Sequence, residues 1–506
     1  MNASTRVVIN TLAQYVRTIF MVVIVLYTSR VVLDNLGVND YGIYSLVSGV
    51  VAMLAFIRNN LSKTIQRFLS YHHGSGNKEM VVKIFNNSVC TQLIITIILC
   101  GVLLACTPLI FNYLLKIPID RLVTAKTVYV LMVFSLFFQM LTAPYEAVLI
   151  ARENIIFSSI VSVVDAVLKI PIALSLIYIS SDKLEWYSVM MALVVVLNYF
   201  VFRYYCKRKY DECLYFSLRS FNKELFKEMF SFMGWNVYGT MCVTGRTQGV
   251  AILLNRFFST AINAAFGLGG QVAGQVSFLS GAITTAINPQ IIKAEGGGDR
   301  GKMFRLSEIS CKFSFLLMSM VAIPAVIYMD FIMDIWLKEV PPYTCMFCQM
   351  IILTALVDLT TLNMNTTNQA VGNVKFYQIC INSIKICSLP VTWLVLRMGQ
   401  GPFEVMVVYI VFELLCAISR IVFLHISVQL PVLQFVRNVI LGILPVFFIN
   451  LIVCYFVSRY LTGWWLIVTG ILSIVTTCCS AWLIGLQNDE KDVFRKMITK
   501  IKTRIN

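Results

Sequence analysis

Charged side chains are scarce in this sequence of 506 residues, because Asp, Glu, Lys and Arg together make up only 13% of it. A soluble domain carries about 25% of these residues. The composition therefore excludes a soluble globular enzyme and a disordered chain. Histidine is scarcer still, with three in the whole chain, and no His-Glu-x-x-His zinc motif occurs. The sequence predicts no metal site.

Nucleotide-binding and calcium-binding motifs are missing as well. No Gly-x-x-x-x-Gly-Lys-Ser/Thr loop and no EF-hand loop occurs, and the glycine cluster 296–298 is not followed by a nucleotide fingerprint. The loops between the hydrophobic runs are too short to hold a soluble domain with catalytic carboxylates. These absences predict a protein that is not an enzyme, has no organic cofactor and binds no nucleic acid.

Hydrophobic residues are present in excess, at 58% of the sequence with a mean hydropathy of +0.79. A single water-soluble core stops growing near about 250–300 residues, so the excess indicates a protein with the bilayer as its solvent. Apolar runs of about 20 residues predict about 14 transmembrane helices. The runs are continuous rather than alternating, which favours helices over a β-barrel. They cover residues 8–36, 41–68, 84–115, 122–150, 157–180, 186–206, 229–257, 264–292, 303–329, 343–366, 376–398, 403–426, 435–458 and 463–486.

The spacing of these runs indicates an internal division. Six runs precede a polar stretch and six follow it, so both halves enter the membrane from the same side. This predicts an all-α polytopic membrane protein with two six-helix lobes, related by a pseudo-two-fold axis along the membrane normal, and an added helical hairpin. The predicted domains are an N-lobe (1–206), a cytoplasmic linker (207–228), a C-lobe (229–428), the C-terminal hairpin (429–486) and a basic cytoplasmic tail (487–506).

The net charge of +16 comes from 41 Lys and Arg against 25 Asp and Glu. Basic residues accumulate in the cytoplasmic loops of membrane proteins. With the amino terminus inside, 25 basic residues fall on the cytoplasmic side and 8 on the opposite side. The asymmetry predicts that both termini are cytoplasmic and that the basic tail lies on anionic membrane lipids.

The remaining eight basic residues fall within predicted spans. Each would cost about 2.5–3.5 kcal/mol at the centre of a lipid-facing helix. Each is therefore expected to pair with an acid, to line a wet cavity or to extend toward an interface. Local pairs are predicted for Arg30 and Asp34, Asp165 and Lys169, and Glu413 and Arg420, and snorkelling is predicted for Lys312 and Lys385.

Three of these cations, Arg17, Arg58 and Arg246, have no acid one helical turn away. Two explanations fit them: they line a cavity, or they pair with other helices or extend to an interface. Polar residues at helical spacing nearby favour the cavity. Arg binds phosphate through parallel hydrogen bonds, so these three are the candidate binding residues for an anionic substrate.

Two acids within the spans, Asp358 and Glu413, are candidate sites for coupling Na⁺ or H⁺. Asp358 begins an unusually polar stretch at the end of the tenth predicted span. A partnership of Asp358 with Lys385 or Lys312 is the alternative explanation.

Small residues and cysteines also form patterns in the spans. Gly245-x-x-x-Gly249 and Gly270-x-x-x-Gly274 predict close helix packing. Cys345-x-x-Cys348 is the one suggestive cysteine spacing, and a disulfide or metal clip there is the minority alternative, because a metal would need a second such pair.

Short motifs resemble the polysaccharide flippases of the multidrug/oligosaccharidyl-lipid/polysaccharide exporter superfamily. The resemblance runs over nearly the whole chain, including the layout of about 14 spans, and the order and spacing of the motifs carry it. They are Leu-Gly-Val-Asn-Asp-Tyr-Gly-Ile-Tyr at 36–44, Gly-Trp-Asn at 234–236, Asn-Ala-Ala-Phe-Gly at 263–267, Asn-Pro-Gln-Ile at 288–291 and Trp-Leu-Lys-Glu-Val-Pro at 336–341.

The resemblance implies two lobes in a V shape that flip undecaprenyl-pyrophosphate-linked oligosaccharides across the bacterial inner membrane, by alternating access with ion coupling. It implies a role in lipopolysaccharide O-antigen or capsule biosynthesis, with a polysaccharide polymerase as a candidate partner. It also suggests a cationic lumen, to which Arg17, Arg58 and Arg246 correspond in span and character. A multidrug exporter of the same superfamily and a non-transport membrane component of polysaccharide assembly are the alternatives.

Overall fold

The computed structural model describes residues 14–491, apart from scattered positions between 15 and 54 and the stretches 115–116, 215–220, 338–339, 461–464 and 489. Within this part of the chain the regular secondary structure is helical and no strand occurs. The predicted all-α class is confirmed. The basic tail beyond 491 and Arg30 lie outside the described residues.

Two compact units divide the chain, a first unit at Val8–Val237 and a second unit from Tyr238 onward. In the first unit the described residues between 14 and 37 and between 40 and 48 are helical. The helices that follow are α1 (Ala55–Gly74), α2 (Lys78–Ala105), α3 (Leu122–Ala151), α4 (Ile155–Ser175) and α5 (Lys183–Lys209). The boundary between the units falls within the long helix α6 (Lys223–Phe257).

The second unit continues with nine further helices. The two-part division does not test the domain limits predicted from the sequence, and these limits stay a prediction. The helices are α7 (Thr260–Gly296), α8 (Arg300–Ile327), α9 (Met329–Trp336), α10 (Thr344–Leu359), α11 (Met364–Val371), α12 (Val374–Arg397), α13 (Pro402–Val428), α14 (Val432–Ser458) and α15 (Leu466–Gly485).

Nine of the described helices are long and apolar enough to cross a membrane, and the pair α10 and α11, bent by 42°, makes a tenth. The helices α6 and α7 coincide with two predicted spans but are too polar to count among them. The polar residues that occur at helical spacing near the candidate cations include Asn, Gln and Thr side chains of these two helices. The chain is a multi-pass membrane protein.

Glycines mark where helices approach closely. A Cβ on Gly249 would lie 2.7 Å from the side chain of Leu389, so the prediction of close packing at the first glycine pair is confirmed by the contact of α6 with α12. Gly270 and Gly274 have nothing within 4 Å. The prediction for that pair is wrong, because the glycine of α7 that packs is Gly269, where an added Cβ would lie 3.1 Å from the backbone of Phe347 on α10.

Candidate ion and substrate sites

A buried carboxylate organises a cluster of charges inside the second unit. Glu413 lies on α13 and is 1% exposed. Its Oε2 atom is 2.9 Å from Nη1 of Arg246 on α6, and its Oε1 atom is 2.9 Å from Nζ of Lys385 on α12 and 3.5 Å from Nη2 of Arg420. One acid thus joins three cations from three helices.

A second acid, Asp358, extends this cluster. Its Oδ1 atom is 2.7 Å from Nη2 of Arg420 and 3.7 Å from Nζ of Lys385, and its side chain is 24% exposed. The charge cluster therefore contains three cations and two carboxylates, and it carries a net charge of +1 when every group is ionised. We use the name charge cluster for Arg246, Asp358, Lys385, Glu413 and Arg420.

The charge cluster lies against a break in a helix. α10 ends at Leu359 and α11 begins at Met364, so backbone groups in between lose their helical partners. Such groups must be satisfied within the protein when they lie in a membrane. Arg420 does this in part, since its Nη1 atom donates to the carbonyl oxygen of Asp358 at 3.4 Å and to Oγ1 of Thr361 at 3.1 Å.

Arg246 also contacts an aromatic ring. Its guanidinium carbon lies 3.9 Å from the ring centroid of Tyr409, and the residue is 4% exposed. A desolvated cation over an aromatic face is held by the quadrupole of the ring. Of the two explanations for Arg246, pairing between helices is the one that the structure has. Its role as a substrate-binding cation stays a prediction.

Two lysines differ from the sequence-based expectation. Snorkelling is wrong for Lys385, which is 6% exposed and pairs with Glu413, whereas its predicted partnership with Asp358 is confirmed. Snorkelling is also wrong for Lys312, which is fully buried, with Nζ 2.9 Å from Oε2 of Glu490. A buried ammonium needs a partner because the cost of desolvating it is high.

The other two candidate cations both lie in the first unit. Nη2 of Arg58 lies 2.6 Å from Oε2 of Glu146 on α3, and Nε donates to the carbonyl oxygen of Gln139 at 3.1 Å. Arg17 also experiences the charge of Glu146. The side chains of Arg58 and Glu146 are 24% and 29% exposed, so this pair is only partly buried. Arg58 pairs with Glu146 and Arg17 lies within range of its charge, both in the first unit, whereas Arg246 belongs to the second unit.

Two local predictions are confirmed by the same contacts. Nζ of Lys169 lies 2.7 Å from Oδ2 of Asp165, and Arg420 reaches Glu413 across two helical turns. Cys345 and Cys348 are both free thiols, so no disulfide joins them. Within the described part of the chain, no group of three or more His, Cys, Asp and Glu residues is arranged to hold a metal.

Sequence reasoning missed Glu146 as the acid that Arg58 contacts. The available signal was its position, since acids are rare within the predicted spans and each is expected to have a cationic partner. Nothing in the spacing of Tyr409 pointed to its contact with Arg246, because the two lie on different helices that are far apart in sequence.

Known proteins resemble this chain in structure rather than in sequence. No family model matches the chain, and no curated protein matches it. A MATE structure in the bent conformation matches with a TM-score of 0.74 at 11% identity, over 86% of this chain and 97% of that chain. A mutant of the Vibrio cholerae MATE transporter VcmN matches with a TM-score of 0.69 at 15% identity, over 84% of this chain and 97% of that chain.

A third structure is a MOP superfamily transporter from Pyrococcus furiosus, described as having a binding pocket of reversed polarity that suggests a different function. It matches with a TM-score of 0.71 at 12% identity, over 86% of this chain and 97% of that chain. Identities this low carry information on the fold alone. The chain has the two-lobed, all-helical fold of the MATE transporters.

Proposed function

We propose that this protein is a membrane transporter that works by alternating access. The observation that carries the proposal is its structural match to almost the full length, 97%, of a MATE structure, in a chain that has nine helices apolar enough to span a bilayer among those described. The fold does not fix the cargo, because one fold hosts many functions. The cargo must therefore be argued from the charged sites.

The charge cluster is the site that we propose couples transport to Na⁺ or H⁺. Charged side chains inside a membrane bundle are costly and mark ion pathways and proton relays. Coupling ions bind near broken helices in many transporters, and Asp358 lies beside the break between α10 and α11. Proton binding at Asp358 or Glu413 would raise the cluster charge above +1, so the pairs with Lys385 and Arg420 would weaken. A site of this kind changes its contacts when an ion arrives or leaves.

The first candidate cargo is a lipid-linked oligosaccharide with a pyrophosphate group. Arg17 and Arg58 support it, because both lie within the influence of Glu146, only Arg58 pairs with it, and both side chains are only partly buried. Guanidinium groups suit phosphate oxygens better than ammonium groups do. On this proposal the protein serves O-antigen or capsule assembly in the bacterial inner membrane, with both termini in the cytoplasm and a polysaccharide polymerase acting next.

The second candidate is export of drugs, and the structural neighbours favour it. One of them is an outward-facing multidrug resistance MATE family transporter, which matches with a TM-score of 0.68 at 13% identity, over 85% of this chain and 96% of that chain. A cationic drug would need an acidic pocket. Glu146 is the acid in the first unit that would have to supply it, once released from Arg58.

The test compares both cargoes in liposomes that contain the purified full-length protein. One assay measures the flipping of a fluorescent polyprenyl-pyrophosphate-linked sugar, and the other measures the export of a cationic dye. The double variant Arg17→Gln with Arg58→Gln should abolish flipping of the anionic lipid. Lys169→Gln is the matched control, because Lys169 is a cation of the same unit that pairs locally with Asp165.

The outcomes separate the proposals. Flipping of the lipid that depends on Arg17 and Arg58 supports the first cargo. Dye export without lipid flipping supports the second. Movement of neither cargo, in liposomes where the protein is folded, contradicts transport of these two classes. Transport in Asp358→Asn that no longer depends on a proton or Na⁺ gradient supports the coupling site, whereas transport with the wild-type dependence contradicts it.

A further inference from the structure

A cavity opens between the last two helices of the second unit, away from the charge cluster. Its volume is about 510 Å³, and it is formed by the first turns of α14 and the last turns of α15. The two helices approach closely at the cavity lining, since a Cβ on Gly442 would lie only 3.1 Å from the carbonyl oxygen of Gly485.

Each wall of the cavity includes residues of a π-helical turn, Val436–Ile440 in α14 and Ala481–Gly485 in α15. A π-helical turn inserts an extra residue, and such turns occur frequently at functional sites. Here the turn in α14 contains Arg437, whose side chain lines the cavity. The two π-helical turns distinguish the end of the hairpin that contains the cavity from the rest of α14 and α15.

Arg437 is a cation with an exposed side chain. Among the residues that the structure describes, its guanidinium has no hydrogen bond and no ion pair, unlike the cations of the charge cluster. Beside it lie the amides of Gln434, Asn438 and Gln487. Asn438 is held in place, because its Nδ2 atom donates to Oε2 of Glu308 at 2.8 Å. The amide of Gln487 in turn donates from Nε2 to Oδ1 of Asn438, so these two amides are engaged within the protein. The cavity thus offers an unused guanidinium beside the exposed amide of Gln434.

The rim of the cavity is apolar. Leu433, Leu441 and Ile484 line it and are 84%, 59% and 54% exposed. These side chains lie on membrane-spanning helices and continue along the lipid-facing surface. A ligand that satisfies both parts of the site has an anionic group for Arg437 and hydrocarbon for the apolar rim.

We propose that this cavity is a binding site for an anionic phospholipid of the surrounding bilayer. The phosphate would lie at Arg437 beside Gln434, and the acyl chains would follow Leu441 and Ile484. Basic pockets between membrane helices bind anionic headgroups in this way. A free phosphate ion would leave the apolar rim uncovered, so the lipid is the ligand that fits the whole cavity. The site is independent of the cargo that the protein transports.

The experiment uses the full-length protein in detergent after its native lipid has been removed. The thermal unfolding midpoint is measured while phosphatidylglycerol, phosphatidylcholine with the same acyl chains, or inorganic phosphate is added. Phosphatidylglycerol should raise the midpoint more than the other two additives. In Arg437→Gln, about five times more phosphatidylglycerol should be needed for the same rise in the midpoint. This factor is the effect of one basic residue at an anionic surface.

Arg459→Gln is the matched control. It removes the same charge at the other end of α14, where the guanidinium donates to the hydroxyl of Tyr455 at 2.8 Å. Ile484→Ser tests the apolar rim and should weaken the response to phosphatidylglycerol. Both Arg437 and Ile484 have exposed side chains, so these variants are expected to fold.

Several results would overturn the proposal. A wild-type response to phosphatidylcholine equal to that for phosphatidylglycerol removes the requirement for charge. An equal response to inorganic phosphate means that only the phosphate is recognised. Unchanged binding in Arg437→Gln, or an equal loss in Arg459→Gln, means that the effect belongs to the overall charge of the protein and not to this cavity.

Discussion

Glu413 is the residue on which the charge cluster depends most. It contacts Arg246 and Lys385 at 2.9 Å and Arg420 at 3.5 Å, and it is 1% exposed. A buried ion pair gains little net stability when it forms, but removing one partner leaves an uncompensated charge. Because three cations share this carboxylate, its loss affects three helices at once.

Glu413→Gln should destabilise the protein by about 3–5 kcal/mol, the cost of breaking a buried ion pair. The neutral amide cannot balance Arg246, Lys385 and Arg420, and Asp358 alone remains among them. Thermal unfolding in detergent measures the loss. The control is Glu79→Gln, because Glu79 is 79% exposed and pairs with Lys83 only at the surface. No measurable change is expected there, and an equal effect of both substitutions would contradict the prediction.

A second acid, Glu212, determines stability at low pH. It lies outside the spans in a short 3-10 turn and is 2% exposed. Burial by itself raises the pKa of Glu212, but interactions with His73 and Arg152 outweigh burial and hold the pKa at about 2. Arg152 makes two hydrogen bonds to the carboxylate, at 2.9 and 2.7 Å.

Stability should therefore fall when Glu212 becomes protonated. A carboxyl group with a lowered pKa in the folded state contributes its full stabilisation above its unfolded pKa, near 4.5, and loses it as the pH falls toward about 2. In Glu212→Gln, the unfolding midpoint should change less between pH 4.5 and 2 than it does in the wild type. At neutral pH it should be lower than the wild-type midpoint. Asp211→Asn changes the exposed neighbouring acid and should leave the wild-type pH profile. A Glu212→Gln profile that is unchanged would show that another group controls this range.

At the scale of elements, the sequence predicts where the helices lie but not which helices contact each other. Each predicted span from 84–115 onward overlaps described helices, because long apolar runs are a strong signal, although α6 and α7 are too polar to count as spans and the span at 343–366 is broken into α10 and α11. Helical spacing could not identify the partners of Arg246 and Arg58, since Glu413 and Glu146 lie on other helices and spacing relates residues of one helix only. The glycine pattern at Gly270 and Gly274 failed for a similar reason. It locates a small-residue face but not which glycine the neighbouring helix meets.

Gly269 and Gly270 allow a direct test of helix packing. A side chain at Gly269 would meet the backbone and Cβ of Phe347 at 3.1 Å, whereas Gly270 has nothing within 4 Å. Gly269→Leu should destabilise the protein by about 1–3 kcal/mol, because overpacking forces α7 and α10 apart. Gly270→Leu is the matched control and should unfold at or slightly above the wild-type temperature, since Gly is a poor helix former. The reverse order of the two unfolding temperatures would mean that α7 is rotated.

At the scale of the whole molecule, the basic surplus divides into two parts with different physical roles. Most of the Lys and Arg residues fall outside the predicted spans, where their bias predicts which side of the membrane each connection occupies. The smaller part lies within spans and is largely paired with acids, as in the charge cluster and at Lys312 and Glu490. The total of +16 therefore describes topology more than it describes the cargo, and the orientation it predicts is open to measurement.

The orientation can be measured at two turns, one after α7 at Gly298 and one after α12 at Gly399. The spans between them are α8, the bent pair α10 and α11, and α12, an odd number, so the two turns must lie on opposite faces of the membrane. The charges then assign the faces: Lys293, Arg300 and Lys302 flank the first turn, and Arg397 precedes the second. An epitope inserted after Gly399 should bind antibody on intact spheroplasts, and one inserted after Gly298 should bind only after permeabilisation. Labelling of both on one face would contradict the helix count, whereas a reversed pattern would contradict the charge rule alone.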